Sequence, residues 1–256
     1  MDILVCIKQV PDTTEVRLRE DMTLERDFIA QVMNPADESA LEWALEVRDQ
    51  RGGSVTVLTM GPERAETTLR EALSRGADRA ALMTDRRFAG ADTLVTARCL
   101  ARAYRRLGGF DIVACGRRAV DGETGQVGPM TASLLDIPCV SNITSAEAGE
   151  ELRARQLTED GVKVFSCGYP ALITFCEWSC RLRLPTLAGL KRAQKAEITR
   201  LTPDDLGLSA GECGLKASPT QVVRIDSRPV CVRPCRKITV GETMEALKNT
   251  CPEVLP

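Results

Sequence analysis

The sequence predicts a doubly wound α/β domain on a mainly parallel sheet over residues 1–190, followed by an extended C-terminal arm over 191–256. Three observations carry that prediction. Short apolar, β-branched runs recur at 2–7, 54–60, 79–84, 111–116 and 171–176, each of strand length, and they read as buried strands. Between them lie segments of helical period: 37–51 with Ala40, Leu41, Ala44 and Leu45 on one stripe, 63–75 with Ala65, Leu69, Ala72 and Leu73, and 93–107 with Leu94, Ala97, Leu100 and Ala101. Strands and helices that alternate through right-handed crossovers place helices on both faces of a parallel sheet. The third observation is where the alternation stops. Beyond residue 160 the pattern loosens, and from Thr202 onward Pro203, Gly207, Gly211, Gly214, Pro219, Pro229 and Pro234 interrupt nearly every run, leaving only 242–249 with a helical pattern. An arm of that kind is expected to need a partner to bury its leucines, valines and isoleucines.

Taken in order, the first strand leads into Lys8-Gln9-Val10-Pro11-Asp12, with no glycine before Thr14, so it lacks a dinucleotide fingerprint turn. The first helix opens at Asn34-Pro35, an N-cap side chain followed by proline at the first helical position. The strand at 111–116 ends at Gly116, and an amphipathic helix begins near Gln126 and runs to Leu135. The loop between them carries Gly122, Gly125 and Gly128 at spacing three, which lets backbone N–H groups approach a phosphate at a helix N-terminus. A merely structural turn explains the same spacing. Asp121 and Glu123 would repel phosphate, and they suit sugar hydroxyls or a helix cap better. In an open α/β sheet this loop lies beyond the carboxyl ends of the strands, where ligands bind.

Composition narrows the chemistry. The 34 basic and 36 acidic side chains of the 256-residue chain leave a net charge of −2, which argues against general nucleic-acid binding or membrane-surface binding. Residues 1–150 carry 18 basic and 24 acidic groups and residues 151–256 carry 16 and 12, so the halves are −6 and +4. The positive half meets either solvent or an acidic partner. No apolar run approaches the ~20 residues of a membrane span and the start is not that of a signal peptide, so a soluble, cytoplasmic protein is expected. Eleven cysteines, an odd number scattered among strand-like segments, suit reduced thiols rather than a disulfide framework. The absence of histidine removes Ser-His and Cys-His nucleophiles and His-ligated metals. What remains is carboxylate chemistry, or a protein that positions a cofactor whose own chemistry does the work. Cys176/Cys180 and Cys231/Cys235 form two Cys-x3-Cys pairs, but zinc ribbons favour a tighter spacing, and no metal site is expected.

Five ordered stretches then match a family: Val5-Cys6-Ile7-Lys8-Gln9-Val10-Pro11-Asp12, Asn34-Pro35-x-Asp37, Thr59-Met60-Gly61-Pro62, Ala72-Leu73-x-x-Gly76-Ala77-Asp78-Arg79-Ala80, and the 121–132 loop. Together they resemble the β subunit of electron transfer flavoprotein, closely over 1–145 and more loosely to the arm. The resemblance implies a Rossmann-like domain of the adenine-nucleotide-binding type. It also implies a heterodimer in which this subunit holds an adenine nucleotide, while the α subunit carries the flavin that passes electrons to partner oxidoreductases. It places nucleotide contacts on Cys6, Asn34, Asp37, Met60 and the loop residues Asp121, Gly122, Glu123, Thr124, Gly125, Gln126, Val127, Gly128, Pro129, Met130, Thr131 and Ala132. Core packing is the plainer role for Cys6 and Met60.

Ordinary members of that family hold structural AMP, whereas electron-bifurcating and nitrogen-fixation-associated members hold a second FAD that accepts hydride from NADH. Phe88-Ala89-Gly90-Ala91-Asp92-Thr93 and the 121–129 segment resemble the second group, with Gly125 standing where that group usually has alanine. FAD is therefore the expected cofactor, with Gly90, Ala91, Asp92 and Thr93 near it, and AMP is the alternative. Residues 183–190 resemble the family's recognition loop, in which one exposed leucine anchors a client dehydrogenase, of the acyl-CoA dehydrogenase type or another. Leu187 falls on that leucine, and Pro185 replaces a residue that is not normally proline. A further electron acceptor is implied as well. The competing reading is an adenine-nucleotide-binding regulator or an ATP-pyrophosphatase-like enzyme on the same sheet; the pyrophosphatase would need a glycine-rich phosphate loop after the first strand that 8–14 does not supply.

Overall fold

A computed structural model describes residues 1–12 and 30–223, together with Thr239, Glu242, Thr243, Ala246 and Leu247. The chain divides into two compact units, 1–223 and 224–256. In the second, the described residues show helical turns at 242–243 and 246–247, with the Glu242 carboxylate accepting from the Thr239 N–H and hydroxyl.

The first unit is built on a nine-stranded sheet. Its strands are β1 (Asp2–Cys6), β4 (Ser54–Met60), β5 (Arg79–Met83), β6 (Ile112–Gly116), β7 (Cys139–Ala148), β8 (Leu152–Thr158), β9 (Gly161–Cys167), β10 (Ala171–Phe175) and β11 (Ile198–Leu201), in the order β11-β5-β4-β1-β6-β10-β7-β8-β9. The strands from β11 to β7 run parallel, and β8 and β9 close the far side as an antiparallel meander. A small ribbon, β2 (Gln9–Pro11) with β3 (Gln31–Met33), stands apart from the sheet. Each of the five expected strands is present, trimmed by at most one residue at an end.

Helices cover both faces, as doubly wound topology requires. α1 (Pro35–Arg51) and α2 (Glu66–Arg75), the latter preceded by a 3-10 turn at Glu63–Ala65, bury Leu41, Trp43, Leu45, Leu69 and Leu73 against one face. α3 (Thr93–Arg106) and α4 (Val127–Leu135) bury Val95, Cys99, Leu100 and Ala132 against the other. Trp43 ties α1 to the sheet twice: its ring lies 5.4 Å from that of Phe175, and its Nε1 donates to the Ala146 carbonyl at 2.8 Å. Successive strands move outward from β1 to β4 to β5, then α3 crosses over the opposite face to β6 on the other side of β1. Strand order therefore reverses between β1 and β6. A crevice opens at their carboxyl ends.

The β7–β9 meander is not anticipated by the sequence reading. Its signal is the alternation Leu152-x-Ala154-x-Gln156 followed by Glu159-Asp160-Gly161, where Gly161 takes φ +117 and Thr158 pairs with Gly161 across a two-residue turn. β9 forms the sheet edge and leaves Val162, Val164 and Phe165 exposed.

The expected arm boundary at residue 191 also moves. α5 (Leu187–Lys195) packs on α2, with Arg70 donating to the Ala193 carbonyl and Arg192 to the carbonyls of Leu73 and Ala77. β11 adds to the free edge of β5, and Leu201, Leu206, Leu208 and Cys213 enter the core under α3. Those apolar side chains find partners within the chain, so the compact unit runs to Val223.

Candidate functional site

The crevice between β1 and β6 is a cavity of about 630 Å³, within the ~300–1,000 Å³ range of small-ligand sites. Its floor is apolar, made by Leu58 and Met60 of β4, Val113 of β6, Leu172 of β10 and Leu100 of α3. The N-termini of α1, α3 and α4 all reach it through Asn34, Thr93 and Val127. The positive ends of their helix dipoles make this end of the sheet favourable for an anion. Lys8, Arg117 and Arg118 add the only basic side chains on its wall among the described residues.

Two buried polar residues at the start of α1, Asn34 just before it and Asp37 in its first turn, hold the strand ends together. Asp37 accepts from the Lys8 N–H at 2.8 Å through Oδ2 and from the Gly116 N–H at 2.7 Å through Oδ1, so one carboxylate staples the exit of β1 to the exit of β6. Burial pushes its pKa up to about 7, against those two N–H donors and the Lys8 charge, which favour the ionised form. Asn34, 1% exposed, donates from Nδ2 to the Arg118 carbonyl at 2.9 Å and accepts from the Val120 N–H at 3.2 Å. The expected side-chain cap on α1 is therefore not made. The Asn34 backbone carbonyl takes the first turn instead, accepting from Asp37 and Glu38, because the amide is committed to the loop 84 residues away.

That loop follows β6 and folds back on itself. Glu123 takes φ +50 and donates its N–H to the Ala119 carbonyl, and Gly125 takes φ +63, where a side chain would be strained. Lys8 Nζ meets both carboxylate oxygens of Asp121 at 2.7 Å, tying the loop to the end of β1. Glu177, just after β10, receives Arg117 Nε at 2.7 Å and Arg118 Nε at 3.3 Å. The three expected glycines differ in purpose. Gly122 has open space around it, whereas a Cβ on Gly128 would lie 2.6 Å from Thr174 Cγ2 and 3.2 Å from Cys115 Sγ. Gly128 thus lets α4 seat on the sheet.

Of the residues expected at the site, Cys6, Asn34, Asp37, Met60, Ala91, Asp92, Thr93, Gly122, Glu123, Thr124, Gly125, Gln126, Val127, Gly128 and Thr131 line the cavity. Gly90, Asp121, Pro129, Met130 and Ala132 stand outside its wall. Gly90 takes φ +74 and is packed under Leu215, and Asp121 acts through Lys8. Cys6 and Cys115 are register partners on β1 and β6. Burial, and then the Asp37 charge, pushes the Cys6 thiol up to about 12, so it lines the cavity as a small protonated group. Thr93 at the start of α3 donates to Gln126 Oε1 at 3.2 Å and joins two walls. The sequence reading does not select Lys8, Arg117, Arg118, Thr220 and Val222 as wall residues, nor Glu177 behind it. Lys8 sits inside the opening motif and the arginines in the loop, but nothing local marks Glu177 or the 220–222 segment.

Leu187 lies well apart from the cavity wall, as the first residue of α5, and is 81% exposed, with Leu184 at 83% beside it. This replaces the alternative of a leucine buried in a strand. The preceding Arg183 is clamped: its N–H and Nε reach the buried Glu42 carboxylate at 2.8 and 2.9 Å, and its Nη1 reaches Asp49 at 2.7 Å. Cys176 and Cys180 are free thiols, Cys231 and Cys235 lie outside the described residues, and no metal-binding group occurs among the described residues. No helix among them is long and apolar enough to cross a membrane.

Comparison with known proteins gives this geometry a family. The electron transfer flavoprotein domain matches residues 21–206. The electron transfer flavoprotein subunit beta of Thermoanaerobacterium thermosaccharolyticum is 46% identical over 252 residues, covering 97% of this chain and 96% of that protein. Protein FixA of Azorhizobium caulinodans is 42% identical, with 96% and 91% covered, and the caffeyl-CoA reductase-Etf complex subunit CarD of Acetobacterium woodii is 42% identical, with 90% and 88% covered. On a doubly wound sheet whose switch-point cavity is lined by most of the residues the resemblance marks, these matches place the chain in the electron transfer flavoprotein β subunit family.

Proposed function

We propose that this chain is the β subunit of a heterodimeric electron transfer flavoprotein, holding FAD in the switch-point cavity and moving electrons from NADH toward partner oxidoreductases, with bifurcation as the overall process. The observation that carries the cofactor reading is the form of the cavity. It is a single space of about 630 Å³ with an apolar floor, three helix N-termini and three basic side chains at its wall. An anionic dinucleotide with a broad apolar ring needs those features together. The names of the FixA and CarD relatives support membership of the bifurcating or nitrogen-fixation-associated group.

When bound, the flavin supplies hydride acceptance and electron transfer. The chain supplies position. Asp37 and Asn34 keep the loop after β6 at a fixed distance from β1, Arg117 and Arg118 neutralise phosphate charge while sharing the Glu177 carboxylate, and the floor excludes water from the apolar part of the ligand. Two exposed apolar surfaces support contact with other subunits: the β9 edge with Val162, Val164 and Phe165, and the clamped Leu184–Leu187 corner, read as the docking point for a client dehydrogenase. Residues 224–256 are the segment proposed to meet the α subunit.

Counting flavins tests the reading. Protein co-purified with its α subunit should contain two flavins per heterodimer, and NADH should bleach one. One flavin with one releasable AMP, and no bleaching by NADH, would establish the AMP-holding alternative.

A further inference from the structure

Part of the cavity's outer wall comes from a segment far away in sequence. After β11 the chain crosses the α3 face and returns as a strap whose Thr220 and Val222 line the cavity. Its upstream end is anchored densely. The Leu215 N–H donates to the Ala89 carbonyl, Leu215 packs on Gly90, where a Cβ would lie 2.8 Å away, and Ser218 Oγ donates its one hydrogen to the Gly214 carbonyl at 2.9 Å, with the Gly90 carbonyl at 3.2 Å sharing it, while accepting from the Asp92 N–H at 2.9 Å.

Beyond Ser218 the attachment thins to one residue. Asp92 divides its carboxylate: Oδ1 accepts from the Val95 N–H at 3.0 Å and caps α3, while Oδ2 accepts from the Thr220 N–H at 3.0 Å and from Thr220 Oγ1 at 2.8 Å. Among the described residues, none hydrogen-bonds to Gln221, Val222 or Val223, and Val222 and Val223 are largely exposed. Both Asp92 oxygens are thus engaged by the protein. Pro219, whose ring fixes φ, separates the dense anchor from the single grip.

We propose that Asp92 and Thr220 form a latch on the cavity: the 219–222 strap is its movable outer wall, and a bound adenine nucleotide leaves when this pair opens. Asp92 is a positioning residue acting through Thr220. The inference rests on the nucleotide reading of the cavity but does not depend on which nucleotide is held. The inner wall is fixed by buried staples, so opening is placed where one half-buried carboxylate holds an exposed segment.

The test uses the heterodimer, loaded separately with tritiated AMP and with FAD, and measures release into excess unlabelled ligand. Thr220→Val removes the hydroxyl bond and keeps the backbone one. It should speed release about fivefold with unchanged melting temperature, while Thr220→Ser should stay at the native rate. Asp92→Asn keeps one acceptor oxygen for the α3 cap but turns an NH2 donor toward the Thr220 N–H, so it should speed release at least as much with the melting temperature near native. Binding with release unchanged in Thr220→Val would overturn the latch alone. Failure of the native heterodimer to bind either probe would overturn the nucleotide reading and the latch with it.

Discussion

The inner and outer walls of the cavity are built on opposite plans. On the inner wall, Asn34 and Asp37 are buried and each reaches two backbone groups, so the ends of β1 and β6 and the loop after β6 are held by contacts that solvent does not compete for. The outer wall, at Thr220 and Val222, is exposed and held by one carboxylate. The contrast teaches where a ligand site keeps its shape and where it yields: a buried, doubly used polar group costs the most to remove, an exposed bond the least.

Gly116 should break the inner wall most severely. A Cβ there would meet Asp37 Oδ1 and Ala36 Cβ at under 3 Å, with the Ala36 backbone behind them, so Gly116→Ala should cost about 3 kcal/mol of stability in denaturant melts of the heterodimer and abolish nucleotide retention. Asn34→Ala leaves the Arg118 carbonyl and the Val120 N–H without partners and should cost about 2 kcal/mol, with nucleotide content falling in parallel. Gly128→Ala, through overlap with Thr174, should cost about 1–2 kcal/mol, whereas Gly211→Ala, in open space, should change neither stability nor nucleotide content. Equal behaviour of the two glycine variants would show that α4 seats on the sheet more loosely than the geometry indicates.

A pH series sharpens the comparison further. The ordinary aspartate value is near 4 and folding raises Asp37 to about 7, so between those values the folded chain holds a proton that the unfolded chain releases. Stability from this group is full below about pH 4 and declines as pH rises through 7. Asp37→Asn should flatten that slope in urea melts at pH 5 to 7.5. An unchanged slope would mean that the two N–H donors outweigh burial. The smallest effect is expected of Thr93→Val, which removes one bond to Gln126: under 1 kcal/mol in stability, with a larger change in NADH oxidation than in AMP affinity.

Periodicity made the parallel half of the fold legible, because its strands are apolar throughout and its helices carry full stripes, and both patterns survive any arrangement of neighbours. The meander was less legible. β8 buries only Leu152 and Ala154 between charged and polar residues and β9 faces solvent almost throughout, so the pair resembles loop composition even though Asp160-Gly161 marks the turn. α5 and β11 were hidden for another reason: basic residues dominate 191–200, and their burial is decided by α2 and the edge of β5.

For the site, the sequence determined which loops and residue types come to the carboxyl end of the sheet, since strand order follows from alternating elements and crossover handedness, and the motifs travel with those elements. Only tertiary structure decided what each residue does there. Asn34 anchors the loop instead of capping its helix, Gly128 makes a close packing approach to Thr174, and Asp92 accepts from Thr220. In each case the partner lies between 46 and 128 residues away in the chain. Local spacing carries no information about such a partner, and the free energy of a buried polar group depends on that partner more than on the group itself.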